Sequence, residues 1–241
     1  MPLVLITGGA SLIGEAVARS LNDRGWTVLL TDIDRDGAEK VRGELPQPAN
    51  VAVQRMDVTN QDEIANVVAL ALSRHGAVDA LVNVAGGFRG LGIPRRDFVD
   101  FTSAERDRII EINLKGVFNC CHAVLPHMIA AKRGGIVSIT AARGLRGGAK
   151  ASIYSAAKAA IIVFSQSLAQ EVGPHGVRVN TVAPGNTAAR WKVSAMAESR
   201  SPLGRPTSPE DVGEAVAFLL SQAASHITGS CIDVSGGTAL H

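Results

Sequence analysis

A tyrosine and a lysine lie four positions apart in the stretch YSAAK, at Tyr154 and Lys158. Because positions i and i+4 share one face of a helix, the phenol and the ammonium group can approach each other. A nearby cation stabilises a phenolate and lowers a tyrosine pKa from about 10 towards the working range of a proton donor or acceptor. Such a group can move the proton of a hydroxyl while a hydride leaves the same carbon. The spacing alone also describes a surface pair, but Tyr154 is the only tyrosine of the chain.

A turn of small residues near the start of the chain has the composition of a phosphate-binding turn. Residues 7–14 read TGGASLIG and connect the apolar run Leu3–Thr7 to a helical pattern. Backbone N–H groups of such a turn, together with the helix N-terminus, can hold a pyrophosphate. The match to G-x-G-x-x-G is poor, and tight packing of a strand on a helix would also use glycine. The residues that we expect to bind there are Gly8, Leu12, Ile13 and Gly14.

Asp32 ends the second predicted strand, 18 positions after Gly14. A carboxylate at that place can accept hydrogen bonds from both ribose hydroxyls of an adenosine. It would repel a 2′-phosphate, and the next residue, Ile33, offers no positive charge. The sequence therefore predicts NAD in preference to NADP. The structural alternative is a strand-end aspartate that caps the following loop.

The elements that must position these residues alternate along the whole chain. The predicted strands are Leu3–Thr7, Thr27–Asp32, Val51–Asp57, Ala80–Ala85, Ile136–Thr140, Val177–Val182 and Cys231–Val234. The predicted helices are Gly14–Arg24, Asp36–Glu44, Gln61–Arg74, Ser103–Ala130, Ser152–Val172 and Pro209–Ser221. Nearly continuous apolar strands are typical of parallel sheets buried on both faces. We expect one α/β domain over residues 1–241, a doubly wound parallel sheet of about seven strands with helices on both faces and its ligand at the carboxyl ends of the strands.

Composition excludes several classes of function. The 241 residues are 46% hydrophobic and 19% charged, which argues against disorder, and a net charge of +2 argues against a nucleic-acid-coating protein. No apolar run approaches the roughly 18 residues of a membrane span. The three cysteines form neither a disulfide framework nor a CxxC site, so we expect a reduced, cytoplasmic compartment. We expect no metal site, because His122 and His127 are five apart and no HExxH motif occurs.

Taken together, these motifs resemble the short-chain dehydrogenase/reductase family over essentially the whole chain. The segments that carry the resemblance are TGGASLIG at 7–14, Asp32, Asp57-Val58, Asn83-Val84-Ala85-Gly86, Asn113 in INLKG, Tyr154 with Lys158, Pro184-Gly185 and ITGSCIDVSGG at 227–237. The resemblance implies a Rossmann-type sheet that binds NAD(P), often in a homotetramer. It also implies that Tyr154 is the general acid/base, that Lys158 lowers its pKa and holds the nicotinamide ribose, and that Asn113 supports a water-linked proton relay.

The same resemblance implies a set of cofactor contacts. Asp57 and Val58 would flank the adenine, Asn83 would steady the strand ends near the cofactor, and Thr187 would contact the nicotinamide amide. The remaining cofactor-binding residues that it implies are Ala85, Gly86, Pro184 and Gly185.

The chain departs from the family pattern at its catalytic serine. That serine lies 13 residues before the tyrosine, where this chain has Ala141. Loss of one such donor typically lowers the rate by about 10²- to 10³-fold. Thr140 is adjacent but should point to the other face of its strand, and Ser152 can substitute only if it does not cap the following helix.

Two further departures affect the cofactor side. Leu12 stands where the family has the middle glycine of TGxxxGxG, and its side chain can crowd the pyrophosphate. Val84 replaces the second asparagine of NNAG, which we expect to matter little because Asn83 remains.

Basic residues are frequent in the segments that follow strands four, five and six. They are Arg89, Arg95, Arg96, Arg143, Arg146, Lys150, Arg190 and Lys192. One interpretation is an electropositive mouth for an anionic substrate, with Arg143 and Arg146 as the contacts; the other is solvated loop charges or subunit contacts. An apolar wall or simple core packing would use the aromatic residues Phe88, Phe98, Phe101 and Trp191.

The sequence therefore predicts an NAD-dependent oxidoreductase that interconverts a secondary alcohol and a ketone. Its substrate is a small molecule, with a hydroxy acid and an acyl thioester as the anionic candidates. We expect a homo-oligomer, a tetramer or a dimer, with no nucleic-acid or membrane partner. The alternative is an NAD(H)-binding sensor or scaffold with little turnover, suggested by Ala141 and Leu12.

Overall fold

The computed structural model describes residues 1–88, 91–187 and 201–239. Its strands are β1 Leu3–Thr7, β2 Thr27–Asp32, β3 Val51–Arg55, β4 Ala80–Asn83, β5 Gly134–Ile139, β6 Val177–Pro184 and β7 Cys231–Val234. They form one parallel sheet in the order β3-β2-β1-β4-β5-β6-β7. This order confirms the predicted doubly wound, Rossmann-type α/β architecture.

Helices cover both faces of the sheet. They are α1 Leu12–Asp23, α2 Arg35–Glu44, α3 Gln61–His75, α4 Ser103–Ile110, α5 Gly116–Ala131, α6 Ala142–Arg146, α7 Ser152–Val172 and α8 Pro209–Leu220. Short 3₁₀ turns occupy Pro48–Asn50, Phe98–Asp100, Gly173–His175 and Gln222–Ala224. No helix in the described part of the chain is both long enough and apolar enough to span a bilayer.

The strands separate two apolar layers by simple alternation. Leu3 and Leu5 of β1 pack with α3, α5 and α7, whereas Val4 and Ile6 pack with α1, α2 and α8. Because parallel strands have both faces covered, each residue of β1 is buried. The carboxyl ends of β1, β4 and β5 then lie side by side, with Thr7 paired to Asn83 and Asn83 to Ser138. We call this side of the sheet the carboxyl edge.

Two strands end earlier than predicted, where backbone N–H groups donate to side-chain oxygens instead of to the carbonyls of a neighbouring strand. β4 ends at Asn83, not Ala85, because the N–H groups of Val84 and Ala85 both donate to Thr7 Oγ1 at 3.1 Å. β3 likewise ends at Arg55, since Asp57 N donates to Glu63 Oε2 at 2.9 Å. β6 runs two residues beyond the predicted Val182, because β7 pairs with its last residues.

The predicted helix Ser103–Ala130 is not one regular helix. A π-helical segment, Glu111–Lys115, separates α4 from α5 and contains Asn113. The short helix α6 was also not predicted, since five residues are too few for an apolar period to be recognised. The irregular element and the unpredicted one both lie next to the carboxyl edge.

Candidate active site

Tyr154 and Lys158 lie on the first two turns of α7, as their spacing predicts. Helix α6 packs directly on this stretch, because a Cβ at Gly144 would lie 2.9 Å from the Lys158 carbonyl carbon. Lys158 is 3% exposed, and its Nζ donates to the Ile139 carbonyl at the end of β5, 2.9 Å away. The same Nζ lies 5.8 Å from the centroid of the Tyr154 ring. A lysine and a tyrosine are thus fixed together at the carboxyl edge.

The expected direction of the Tyr154 pKa is wrong for this structure. Burial raises the Tyr154 pKa above its ordinary value, and the cations that oppose this effect are Arg95 and Arg143 rather than Lys158. The reason lies in Lys158 itself, whose complete burial lowers its own pKa to about 8 and whose ammonium is aimed at the Ile139 carbonyl. The cations that act on the phenol are therefore Arg95, in the segment after β4, and Arg143 of α6.

Asn113 is held inside the π-helical segment and is fully buried. Its Oδ1 accepts from Gly87 N at 2.7 Å, and its Nδ2 donates to the carbonyls of Gly87 at 3.2 Å and Ile109 at 3.1 Å. A Cβ at Gly86, where φ is +140°, would lie 2.8 Å from Asn113 Oδ1 and 3.4 Å from Lys158 Nζ. Asn113 therefore fixes the loop after β4 against Lys158. Single π turns often occur at functional sites, but their composition gives no signal in a sequence.

The turn after β1 is tightly packed and leads directly into the N-terminus of α1. Gly8 has φ +68°, and a Cβ there would lie 2.7 Å from Ala85 N, so only glycine fits between the two strand ends. Ser11 is the N-cap of α1, and its side chain accepts from Gly14 N at 3.0 Å. The N-terminus of α1 at this turn is suited to a pyrophosphate.

Leu12, which stands at the position of the missing glycine, is the first residue of α1. Its side chain is 47% exposed and lines a surface groove of about 550 Å³ together with Glu15 and Pro209. The side chain thus has room on the outer side of the turn. Ile13 is partly buried against the core layer that includes α1.

The Asp32 carboxylate is oriented by two backbone donors. Its Oδ2 accepts from Ala10 N and its Oδ1 from Asp34 N, both at 2.9 Å. The second bond is the loop cap of the structural alternative, and the first ties the carboxylate to the phosphate-binding turn. Ile33 is 58% exposed, so no cation from the next residue faces this position.

Other residues implied by the resemblance lie at the same edge. Asp57 Oδ1 accepts from the N–H and hydroxyl of Thr59, at 2.9 and 2.8 Å, and Val58 is buried against Gly116. Asn83 Nδ2 donates to Ser138 Oγ at 3.0 Å and links the ends of β4 and β5. The end of β6 carries Pro184, Gly185, whose N–H donates to the Val234 carbonyl, and Thr187, which pairs with Thr207.

No hydroxyl replaces the missing serine at its own position. Ala141 is the N-cap of α6 in extended geometry. Thr140 donates its hydroxyl to the Val182 carbonyl at 3.0 Å, as its predicted orientation requires. Ser152 is exposed as the first residue of α7, and the N-cap of that helix is Ala151. Ser152 is therefore not used as a cap.

The basic residues near Tyr154 have different environments. Arg96 forms an ion pair with Glu105 at 3.1 Å and lies over the Phe101 ring. These contacts account for Arg96 without a role in substrate binding. Arg143 is half-buried and interacts electrostatically with Arg95, Arg146 and Tyr154. Of the other predicted residues, Arg89, Arg190, Trp191 and Lys192 lie outside the described residues.

Aromatic residues contribute an apolar wall on one side. Phe88 contacts Tyr154 edge to face, with ring centroids 5.6 Å apart, and is buried with Phe101 and Ile153 in one cluster. Phe98 is 59% exposed and does not join the buried part of that cluster. Within residues 1–88, 91–187 and 201–239, no group of three or more His, Cys, Asp or Glu is arranged to hold a metal ion.

Comparisons with known proteins find relatives that match this chain over nearly its whole length. The family model described as enoyl-(acyl carrier protein) reductase matches residues 8–239. The chain is 36% identical to 3-oxoacyl-(acyl-carrier-protein) reductase of Thermotoga maritima, over 97% of this chain and 96% of that protein. It is 38% identical to cis-4-hydroxycyclohexanecarboxylate dehydrogenase of Sinomonas cyclohexanicum, over 98% and 95%. The crystal structure of 3-ketoacyl-(acyl-carrier-protein) reductase from Brucella melitensis complexed with NADH aligns with a TM-score of 0.92 at 29% identity, covering 99% of this chain and 98% of that one.

Proposed function

The chain belongs to the short-chain dehydrogenase/reductase family, and on that premise we propose that it is an NAD-dependent oxidoreductase interconverting a secondary alcohol and a ketone. Its relatives are oxidoreductases that act on hydroxyl or keto groups. The observation that carries the proposal is the pair of partly buried Tyr154 and buried Lys158, which lies at the carboxyl edge together with the glycine turn after β1. A sheet with both features in one place can bind a dinucleotide and move a proton next to it.

The proton chemistry belongs to three side chains of this protein. In the oxidation direction, the Tyr154 phenolate accepts the hydroxyl proton of the alcohol, and in reduction the phenol returns it to the carbonyl oxygen. Lys158 is the nearest fixed ammonium, and Asn113 keeps the loop at Gly86 and Gly87 in place above it. When bound, the nicotinamide supplies hydride transfer at the same carbon.

The residues present fit a dinucleotide. The glycine turn at Gly8 and the N-terminus of α1 suit its pyrophosphate, and the Asp32 carboxylate, held by Ala10 N, suits the adenosine ribose. Asp57 and Val58 would flank the adenine, and Lys158 with Thr187 would contact the nicotinamide side. The set that would hold the cofactor is Gly8, Leu12, Ile13, Gly14, Asp32, Asp57, Val58, Asn83, Ala85, Gly86, Tyr154, Lys158, Pro184, Gly185 and Thr187.

NAD preference rests on Asp32, and Asp32→Asn tests it. Asparagine keeps an oxygen that can accept from Ala10 N, but it removes the charge that repels a 2′-phosphate. We expect the ratio of kcat/KM for NAD⁺ over NADP⁺ to fall by about 10-fold or more. Asp36→Asn, on the exposed first turn of α2, removes the same charge nearby and should leave the ratio unchanged. An unaltered ratio in Asp32→Asn would contradict the assignment.

Two classes of anionic substrate follow from the relatives. One relative acts on a hydroxycyclohexanecarboxylate, and others act on thioesters of acyl carrier protein or coenzyme A. Both carry negative charge, which fits the arginines near Tyr154. If anionic and neutral carbonyl compounds have equal kcat/KM at every salt concentration, an anionic substrate is wrong.

A homo-oligomer is part of the proposal. Helices α5 and α7 expose apolar side chains side by side: Val163 is 62% exposed, and Phe118, 37% exposed, contacts the Phe164 ring at 4.5 Å between centroids. Apolar faces of this kind are commonly covered by a second copy of the chain.

The decisive test of the proposed function is a turnover screen. Secondary alcohols with NAD⁺, and ketones with NADH, are followed at the absorbance of NADH, while NADH binding is measured separately by fluorescence. Turnover of at least one class supports the enzyme. Clear NADH binding without turnover of any class favours the sensor or scaffold, which Ala141 and Leu12 suggested.

A further inference from the structure

We propose that Arg143, together with Arg95, holds the anionic head of a compact hydroxy or keto acid whose reacting carbon lies at Tyr154. The inference rests on the proposed function and narrows its substrate class. It selects a small acid, with charge and carbonyl in one molecule, over a thioester of a large carrier.

Two glycines, Gly144 and Gly148, determine where the Arg143 side chain lies. Gly144 allows α6 to touch the backbone of α7 at Lys158 and Ala159, which fixes the helix next to Tyr154. The Arg143 side chain then folds over Gly148, where any Cβ would overlap its guanidinium. A bare backbone surface at Gly148 thus provides the space in which the guanidinium lies. The side chain is half-buried, which makes it a more defined binding group than a freely solvated arginine.

In the part of the chain that the structure describes, the charged groups that act on Arg143 include two further arginines and no carboxylate. Burial lowers the Arg143 pKa, and the neighbouring Arg95 and Arg146 lower it further by repulsion. None of these three arginines forms an ion pair with another described residue, whereas Arg96, next in sequence to Arg95, is paired with Glu105. Cations brought together without a carboxylate repel each other, and a bound anion relieves that repulsion.

The position of the cluster limits the size of the substrate. Arg143 directly precedes Gly144, where a Cβ would lie 2.9 Å from the Lys158 carbonyl carbon, about one helical turn after Tyr154. Arg143 and Arg95 also both interact electrostatically with Tyr154. An anion bound by these guanidinium groups is therefore close to the oxygen that exchanges its proton with Tyr154.

An apolar cluster next to Tyr154 suits the hydrocarbon part of such an acid. Phe88 contacts the Tyr154 ring edge to face and joins Phe101 and Ile153 in an apolar cluster. A short or cyclic hydrocarbon can contact this wall while its carboxylate faces Arg143. In a carrier thioester the phosphate lies many bonds away from the carbonyl, so it cannot neutralise a cation beside Tyr154.

The experiment compares matched acids and esters in the full-length enzyme. The probes are 3-hydroxybutyrate and 4-hydroxycyclohexanecarboxylate, the methyl ester of each, and 3-hydroxybutyryl-CoA. In Arg143→Met we expect kcat/KM for the acids to fall by about 10- to 100-fold, mainly through KM, as for the loss of one charge-assisted contact. The esters should change less than threefold, and Arg143→Lys should restore part of the loss. Arg74→Met, at the exposed end of α3, removes the same charge and should leave every ratio unchanged.

Failure of the inference can be separated from failure of the proposed function. Equal turnover of acids and esters by the wild type, or preference for the thioester with no effect of Arg143→Met on the acids, overturns the inference alone. If no probe turns over, the binding of cyclohexanecarboxylate to the NADH complex is measured by fluorescence. A Kd at least 10-fold weaker in Arg143→Met supports the anion site, and an unchanged Kd overturns it.

Discussion

Tyr154→Phe is expected to lower kcat by about 10²- to 10⁴-fold, the usual contribution of a positioned general acid or base. The phenylalanine ring preserves the edge-to-face contact with Phe88 and the packing next to Ile153, so the fold should not change. NADH affinity should remain within about twofold of the wild type, because the residues proposed for the pyrophosphate and the adenosine ribose, at Gly8–Gly14 and Asp32, are unchanged and the phenol is only one of many cofactor contacts. Steady-state kinetics of the best substrate, with NADH fluorescence titration, checks both parts.

The pH dependence of alcohol oxidation distinguishes loss of the Tyr154 phenol from a general loss of structure in the variant. Burial raises the pKa of Tyr154, so alcohol oxidation, which needs the phenolate, should increase with pH over the alkaline range. Arg143 opposes this effect, and Arg143→Met should therefore move the alkaline limb to still higher pH. The residual activity of Tyr154→Phe should lack the limb altogether. Retained turnover with an unchanged profile would remove Tyr154 from the mechanism.

Much of the fold could be predicted because buried parallel strands have a distinct composition. β1, β2, β7 and α7 have the predicted limits, since each is an apolar or periodic run bounded by a clear change of pattern. The ends of β3 and β4 were wrong because side chains accept from the backbone N–H groups that follow: Glu63, six residues after Asp57, at β3, and Thr7, on another strand, at β4. The apolar pattern of a strand carries no signal for such side-chain hydrogen bonds.

In the candidate site, too, features set by local spacing could be predicted, and features set by tertiary structure could not. The i, i+4 spacing placed Tyr154 and Lys158 on one helical face, and strand order brought Asp32 close to the phosphate-binding turn. The direction of the Tyr154 pKa could not be predicted, since it depends first on burial and then on Arg95 and Arg143, whose positions near the phenol are set by the tertiary fold. The π turn at Asn113 was also hidden, because its residues are ordinary helix residues.

Ala141→Ser is expected to raise kcat by about 10-fold or more. One correctly placed donor to a reacting oxygen is typically worth about 10²- to 10³-fold in rate, and full recovery requires the surrounding groups to be aligned for it. Ala141 directly follows β5 and Thr140, in extended geometry and only partly buried, so a hydroxyl can be added without displacing core atoms. Thr140 cannot supply it, because its hydroxyl already donates to the Val182 carbonyl.

The effect of Ala141→Ser depends on whether Ser152 already donates a hydrogen bond to the reacting oxygen. The variant Ser152→Ala tests this. Ser152 is exposed on the first turn of α7, close in sequence to Tyr154, and does not cap the helix. If Ser152 is the donor, Ser152→Ala lowers kcat while Ala141→Ser has little effect on its own but restores activity in the double variant. If no hydroxyl serves, Ala141→Ser raises kcat and Ser152→Ala is neutral. Ala156→Ser, on the exposed side of α7, adds a hydroxyl away from the site and should change neither. A neutral result in both Ala141→Ser and Ser152→Ala would contradict a rate-limiting role for a serine hydroxyl at either position.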